Sequence, residues 1–246
     1  MNELTGMQAA YWVGRQASGP LTGVAAHLYA EFDGPALDVA CLRQAVQRLF
    51  ARHAMLRLQV DAQGQARSQA LMPWHELQVD DLRGWQGPQV EALLLATRQR
   101  MAHQRLDLAA GQASEWRLSL LPDGRQRLHV DLDMVAVDPG SFPLLMDELA
   151  RCYQAPADGD DAELPGFFDV RAQQRAGSVY ARLRQRDRQW WQARLPQVAP
   201  APPLPWLPPN CERAVCSQRL AKTLSAVQRA TLTTLARQHQ LTLTSL

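Results

Sequence analysis

The segment RLHVDLDMVAVDPGSF, residues 127–142, constrains the fold more than any other part of the sequence. Its apolar residues alternate as they do in a β-strand, and Pro139 predicts the end of the strand because proline cannot donate to a ladder. The preceding WRLSLL and the turn PDGR predict a hairpin partner. Residues 127–137 are therefore predicted to be the second strand of a β-hairpin, followed by a helix over residues 142–153.

Three carboxylates lie in this apolar segment and need an explanation, because a buried carboxylate is costly unless it is paired or hydrogen-bonded. Strand geometry places Asp131 and Asp133 on one face. Asp131 is predicted to face solvent. Asp138, directly before Pro139, fits the N-cap of a helix with proline at its first position. A capping role and a role in a functional site both remain open for Asp138.

Upstream of this segment, strand and helix patterns alternate along the chain. Period-two alternation predicts a strand at residues 24–33, and MLRLQV (55–60) begins a hairpin whose partner lies near 67–71. An amphipathic helix is predicted at 88–105. Asp38 is the predicted N-cap of another helix, whose apolar stripe contains Leu42, Val46, Leu49 and Phe50.

Downstream, the acidic segment APADGDDAELPG (155–166) predicts a surface loop, and a polar helix follows at about 171–194. The tract LPQVAPAPPLPWLPP cannot be helical, because each proline removes a helix hydrogen bond. A short strand near 213–220 and a helix from about 223 complete the prediction. Helices and strands in this order indicate an α/β protein.

Composition excludes several classes of function. The 26 basic and 24 acidic residues give a net charge of +2, so charge offers no reason to expect nucleic acid or an anionic membrane as partner. No run of about eighteen apolar residues predicts a membrane span, and the N-terminus lacks a secretory signal pattern. The four cysteines are scattered, which favours a reduced, cytoplasmic protein.

Familiar catalytic and metal motifs are also missing from the sequence. There is no G-x-S-x-G, P-loop or G-x-G-x-x-G, which argues against hydrolase and nucleotide-binding functions. His53 and His103 stand at predicted helix ends without a second ligand at i+3 or i+4. His129 is explained equally well by strand alternation and by pairing with an aspartate. We therefore expect no metal site and no directly bound cofactor.

The pattern D-x-x-x-x-D-x-x-S occurs in DMVAVDPGS, with Asp133, Asp138 and Ser141 at its fixed positions. It resembles the signature of the heterocyclization domains of nonribosomal peptide synthetases. These domains are a variant of the condensation domain, which carries HHxxxDG at the same place.

Four other stretches are similar to the same family, in the same order along the chain. They are LTGMQAAYWVGR (4–15), RHAMLR (52–57), MAHQRLDL (101–108) and WWQARLP with the proline tract that follows it. The chain departs from the family after MAHQRLDL, where it reads AAGQASEW instead of a WPLFE-like stretch. Together the matching stretches cover nearly the whole chain.

The resemblance implies a chloramphenicol-acetyltransferase-like fold, in which a mixed sheet is flanked by helices and two lobes enclose a tunnel. Residues 1–170 would form the N-terminal lobe, 171–210 a helix and proline-rich crossover, and 211–246 the start of the C-terminal lobe. Phosphopantetheine arms of donor and acceptor carrier proteins would enter the tunnel. An adjacent adenylation domain and the remainder of the second lobe are further expected partners.

Roles for the motif residues follow from the same resemblance. Asp133 aligns with the first histidine of HHxxxDG and Met134 with the second, and a thioether cannot usefully accept a proton. Asp133, without an obvious partner in sequence, is expected to contact the tunnel. Asp138 is expected to be structural, as a helix cap and as the ion-pair partner of an arginine. Ser141 completes the motif.

The implied activity is amide formation between a carrier-bound acyl donor and Cys, Ser or Thr, followed by cyclodehydration to a thiazoline or oxazoline in siderophore-like peptide biosynthesis. The resemblance assigns cyclodehydration to the second lobe, and it ends within LTLTSL, so the chain alone is expected to be inactive. The alternative is a non-catalytic half-domain that docks carrier proteins or pairs with a separately encoded lobe.

Overall fold

The computed structural model describes residues 2–16, 23–70, 76–155, 164–200 and 222–246. The chain divides into two compact units, Met1–Val215 and Cys216–Leu246. In the described part, the strands in chain order are β1 (Asn2–Glu3), β2 (His27–Gly34), β3 (Leu58–Val60), β4 (Gln65–Ser68), β5 (Gln78–Asp81), β6 (Ser114–Leu120) and β7 (Gln126–Asp133). The α-helices are α1 (Gly6–Gly14), α2 (Val39–Arg52), α3 (Gly87–Met101), α4 (Ser141–Gln154), α5 (Phe167–Ala176), α6 (Ser178–Arg194) and α7 (Ala226–Gln238).

A mixed four-stranded sheet in the order β2-β7-β6-β5 forms the centre of the first unit. Strands β2, β7 and β6 are antiparallel, and β5 adds to the edge parallel to β6. The predicted β6–β7 hairpin is confirmed, and Gly124 in its turn has φ of 77°, which favours glycine. A smaller antiparallel sheet has the order β1-β4-β3. This arrangement confirms the predicted α/β class, with a mixed sheet flanked by helices.

One face of the main sheet is apolar and carries the core. Leu118, Val130 and Leu132 from the central strands pack there with apolar residues of α2 and α4. The Asp38 carboxylate accepts a hydrogen bond from the Cys41 N–H at 2.9 Å, which confirms it as the cap of α2. The predicted apolar stripe of α2 is buried in this core: Leu42, Val46, Leu49 and Phe50.

The opposite face of the sheet is polar and is also largely withdrawn from solvent. Arg98 and Arg100 of α3 form ion pairs with Glu31 and Glu115 of the sheet. Asp131 lies on this face and is 0% exposed, so the expectation that it faces solvent is wrong. It is buried because α3 covers this face of the sheet, and because His27 of β2 and Gln104, in the chain after α3, bind its carboxylate.

Strand β7 ends at Asp133, four residues before the predicted end at Val137. The Asp133 carbonyl accepts hydrogen bonds from the N–H groups of Ala136 and Val137, which closes a turn. The apolar residues after Asp133 continue the strand pattern, but they belong to this turn. Apolar patterning alone does not distinguish a buried turn from the end of a buried strand.

Other differences from prediction are local. The polar helix predicted at 171–194 is two helices, α5 and α6, separated at Gly177. The described part of the proline tract begins with a short 3-10 helix, Leu195–Gln197. The rest of that tract and the strand near 213–220 lie outside the described residues. The boundaries predicted at 170 and 210 remain predictions.

No helix in the described ranges has both the length and the apolar character needed to cross a membrane. Cys41 is a free thiol, and Cys152 is buried. Cys211 and Cys216 lie outside the described residues.

Candidate functional site

Helix α1 fixes the end of the motif strand. Thr5 and Gln8 form a capping box, in which the Thr5 hydroxyl accepts from the Gln8 N–H at 3.2 Å and the Gln8 side chain accepts from the Thr5 N–H at 3.0 Å. The Gln8 amide nitrogen also donates to the Val135 carbonyl at 2.8 Å. One buried side chain therefore joins the start of the helix to the turn after β7.

The Asp133 carboxylate is buried and fully engaged. Its Oδ2 lies 2.5 Å from Nη1 of Arg15, at the end of α1, and its Oδ1 accepts from the Val135 N–H at 2.9 Å. Arg15 also donates to the Leu106 carbonyl. Burial raises the pKa of the Asp133 carboxyl, an effect that the charge of Arg15 opposes. Asp133 thus closes the strand end through one ion pair and one turn.

Asp133, for which the sequence showed no obvious partner, is therefore paired with Arg15 in the structure. The arginine pair expected at Asp138 belongs to Asp133 instead, and no arginine among the described residues lies within ion-pair distance of Asp138. The reason is geometric: Asp133 is the last residue of a buried strand and points to the polar face, whereas Asp138 lies beyond the turn in solvent.

Asp138 stabilises the turn before helix α4, but the N-cap of the helix is Gly140 and not, as the sequence predicts, Asp138. Its Oδ1 accepts from the Ser141 N–H at 2.7 Å, and hydrogen bonds from Ser141 lower the pKa of the Asp138 carboxyl. The helix proper begins at Ser141, and Pro139 and Gly140 form the turn before it. Asp138 and Ser141, the second aspartate and the serine of the motif, are thus hydrogen-bonded to each other where α4 begins.

A cavity of about 540 Å³ lies against the motif segment, the stretch DMVAVDPGS at residues 133–141. The residues that line it are mostly apolar and come from α1, the 3-10 turn after α2, the motif segment, α4 and the start of α5: Thr5, Met7, Gln8, Tyr11, His53, Met55, Leu56, Met134, Val135, Ala136, Val137, Asp138, Ser141, Leu144, Leu145 and Phe167. Asp138 and Ser141 therefore reach the cavity. Asp133 is not among the described residues that line it.

Beside Asp133, His27 of β2 and Asp131 of β7 form a second pair, which joins these two strands. The His27 Nδ1 lies 2.6 Å from Asp131 Oδ1, and its Nε2 lies 3.1 Å from the Ala102 carbonyl. Gln104 donates to the other oxygen of Asp131 at 2.7 Å. Both imidazole nitrogens face acceptors, so the imidazolium form can donate to both. The hydrogen bond to Asp131 raises the pKa of His27.

The surroundings of His129, two residues from Asp131, lower its pKa, whereas those of His27 raise the pKa of that residue. Its ring is 0% exposed and stacks on Tyr29, whose hydroxyl lies 2.9 Å from His129 Nδ1. Its Nε2 is buried without a hydrogen-bond partner in the described residues. Burial lowers the pKa of His129 to about 4. Pairing with an aspartate, one of the two explanations that the sequence left open for His129, is not found in the described part of the chain.

Sequence reasoning missed Gln8, Arg15 and His27 as parts of this region. Gln8 and Arg15 are seven residues apart, which puts them on one face of α1 two turns apart. Both are fixed positions of the opening stretch LTGMQAAYWVGR, and this spacing was the available signal. Within the described residues, no cluster of three or more His, Cys, Asp or Glu side chains is arranged to hold a metal ion.

Comparison with known proteins identifies the family. The condensation-domain family matches residues 1–246. The chain is 40% identical over 208 residues to phenyloxazoline synthase MbtB of Mycobacterium sp. strain MCS, covering 83% of this chain. It is 35% identical over 248 residues to pyochelin synthetase PchE of Pseudomonas aeruginosa, covering 99% of this chain. The chain spans only 17% of the length of either relative.

A solved structure agrees with these relatives. The chain superposes with a TM-score of 0.76 and 25% identity on the EpoB cyclization-docking bidomain from the nonribosomal peptide synthetase of Sorangium cellulosum, over 98% of this chain and 48% of that one. The fold, the motif segment and the relatives therefore agree. The chain belongs to the condensation-domain family of nonribosomal peptide synthetases, and its resemblance to the heterocyclization members is confirmed.

Proposed function

We propose that this chain is part of a heterocyclization domain, which joins a carrier-bound acyl group to Cys, Ser or Thr and then closes a thiazoline or oxazoline ring. The observation that carries the proposal is the part of the cavity wall formed by Met134–Asp138 and Ser141 of the stretch DMVAVDPGS. At the position where the condensation motif has its second histidine, this wall presents Met134. The relatives named for oxazoline and pyochelin synthesis support a role in siderophore-like peptide biosynthesis.

The substrates are proposed to arrive as thioesters on the phosphopantetheine arms of donor and acceptor carrier proteins. An apolar wall suits the acyl part of such a thioester, because burial of apolar surface is favourable and methionine adapts to different shapes. Met7, Met55 and Met134 all line the cavity. A second lobe and an adjacent adenylation domain complete the proposed assembly, which acts in the cytoplasm.

The motif residues are proposed to shape this wall. Asp133 holds the strand end through Arg15, and Asp138 sets the start of α4 through Ser141. Asp138 and Ser141 also present polar groups to the cavity, where they can orient the substrate. The ring-closing step is assigned to the second lobe by the family resemblance.

A single-turnover reaction tests this function. The full-length synthetase is mixed with donor and acceptor carriers, both loaded, and the acceptor carrier is examined by intact-protein mass spectrometry. The proposal predicts that the acceptor gains the donor acyl group and loses one water. Carriers that bind the synthetase without any acyl transfer would contradict it and support the alternative of a non-catalytic docking module.

A further inference from the structure

The cavity contains few side chains that exchange protons. Among the described residues that line it, these are Tyr11, His53 and Asp138. A phenol ordinarily keeps its proton at neutral pH, and the hydrogen bonds from Ser141 make Asp138 a weaker base. An imidazole is the side chain that ordinarily gains and loses a proton near neutrality. His53 is therefore the side chain on this wall best suited to accept a proton.

His53 is held by a carboxylate. It follows the last residue of α2, and its Nε2 lies 2.9 Å from Oε2 of Glu148 on α4. The other oxygen of Glu148 lies 2.7 Å from Nε of Arg52. Among the described residues, the charged groups nearest His53 are Glu148 across the helix interface and Arg52 on its own segment, and Asp138 lines the same cavity. The Glu148 and Arg52 side chains are mostly buried, at 16% and 19% exposed.

The hydrogen bond to Glu148 decides which ring nitrogen is available. A carboxylate only accepts, so Nε2 carries the hydrogen and Nδ1 keeps its lone pair in the neutral ring. Nδ1 has no hydrogen-bond partner among the described residues, and it is not among the buried atoms left without one. It is therefore open to solvent or substrate.

His53 also lies between Glu148 and the cavity. Leu144 and Leu145 of α4 line the cavity together with His53, whereas Glu148, one turn further along the helix, does not. A carboxylate, an imidazole and an open site in this order are the arrangement that orients a general base.

We propose that His53, oriented by Glu148, is the proton acceptor for amide formation in this cavity. The inference rests on the proposed function. In this step the acceptor amine attacks the thioester carbonyl, so a C–N bond forms and the C–S bond breaks. The proton released by nitrogen passes to Nδ1 of His53 and then to the leaving thiolate. Met134, at the position where condensation domains have a histidine, cannot accept that proton.

The test compares His53→Gln with wild type in the full-length synthetase, under single turnover with both carriers loaded. Glutamine can still donate to Glu148 but cannot take up a proton, so the melting temperature should be nearly unchanged. Loss of a general base should slow amide formation by about 100- to 10,000-fold. The fall of the wild-type rate toward low pH should also disappear from the pH profile of the variant.

Two further variants separate chemistry from packing. Glu148→Gln keeps an acceptor for Nε2–H but replaces the charged hydrogen bond that orients the ring by a neutral one, so amide formation should slow by less than in His53→Gln. His53→Ala should recover part of its rate when free imidazole is added. His239→Gln is the matched control, because His239 is the C-cap of α7 as His53 is of α2, and it should react like wild type.

A His53→Gln protein as fast as wild type would overturn the inference while leaving the proposed function intact. A slow variant that keeps the acid limb would also overturn it, because His53 would then act only through structure. A wild-type synthetase that transfers no acyl group would contradict the proposed function itself.

Discussion

Arg15 and Asp133 show how a charged pair is tolerated inside this fold. The Asp133 side chain is 1% exposed, and each of its oxygens accepts from a different donor, Arg15 or the Val135 N–H. A buried pair of this kind adds little compared with apolar residues, but removing one partner leaves an uncompensated charge. The pair therefore specifies where β7 stops and the cavity wall begins.

Replacing Asp133 with asparagine should therefore be strongly destabilising. Both partners of Asp133 are donors, and an amide offers only one acceptor oxygen, so one donor is left unsatisfied. We expect the free energy of unfolding in urea to fall by about 3–5 kcal/mol. Asp138→Asn is the control, because the exposed Asp138 uses only one oxygen, and a change within about 0.5 kcal/mol is expected. Equal stability of the two variants would contradict the assigned roles.

The two histidines on the polar face of the main sheet should give the chain opposite pH dependences. The pKa of His27 is raised above 6.5 by Asp131, so its contribution is complete below 6.5 and is lost as the pH rises through the raised value. The pKa of His129 is lowered to about 4 by burial, so the free energy of unfolding falls as the pH drops from 6.5 toward 4.

Stability measured across pH should separate these effects. His27→Gln should flatten the decline above pH 6.5, and His129→Gln should flatten the decline between pH 6.5 and about 4. Chemical unfolding at a series of pH values, with His239→Gln as the exposed control, gives the measurement. A His129→Gln protein with the same acid sensitivity as wild type would show that another group controls it.

At the scale of elements, helix α1 fixes the position of the motif segment through two contacts. It holds the turn after β7 through Gln8 and the end of β7 through Arg15. Direct hydrogen bonds therefore join two stretches that are far apart in sequence, LTGMQAAYWVGR and DMVAVDPGS.

Gln8→Met tests the first of these contacts, because it removes the hydrogen bond to the Val135 carbonyl. An unsatisfied buried carbonyl costs about 1–3 kcal/mol, in addition to the loss of the capping box. Gln228→Met in α7 is the matched control, because Gln228 forms the same capping box with Ser225 but is exposed. The free energy of unfolding in urea is measured for both variants. The difference between the two losses gives the contribution of the hydrogen bond from Gln8 to Val135. No difference would show that Gln8 acts only as a cap.

Sequence patterns predicted most elements but not their ends. The hairpin β6–β7, the cap of α2 and the start of α4 depend on local residues, so they were predictable. The end of β7 depends on contacts with α1, and the polar partners of Asp131 come from β2 and from the chain after α3. Contacts between distant segments leave no local signal, which explains why the burial of Asp131 and the partner of Asp133 were not predicted.

At the scale of the whole molecule, packing differs sharply between the two units. Strand β7 is buried along nearly its whole length, whereas in the described residues 222–246 only Ala236 is buried. Amide exchange follows local opening, which is easiest where few apolar contacts form. We therefore expect the amides of α7 to exchange well before those of β6 and β7 in the 246-residue chain. Equal protection in a hydrogen-exchange experiment would contradict this.

The family was the most predictable feature of the molecule, because five short stretches in order carry it. The roles inside the motif were less predictable. The spacing of Asp133, Asp138 and Ser141 identifies the family, but only the fold shows that Asp133 pairs with Arg15 while Asp138 reaches the cavity. The resemblance places the groups expected to close a ring in a second lobe.

A heavy-oxygen label tests the central claim, that this domain forms a heterocycle, most directly. The donor is loaded on its carrier with the label in the thioester carbonyl, and the product on the acceptor carrier is weighed after single turnover by the full-length synthetase. Ring closure expels the oxygen of the new amide as water, so the account predicts a product that has lost the label. A product that keeps the labelled oxygen would be an open amide and would contradict heterocyclization.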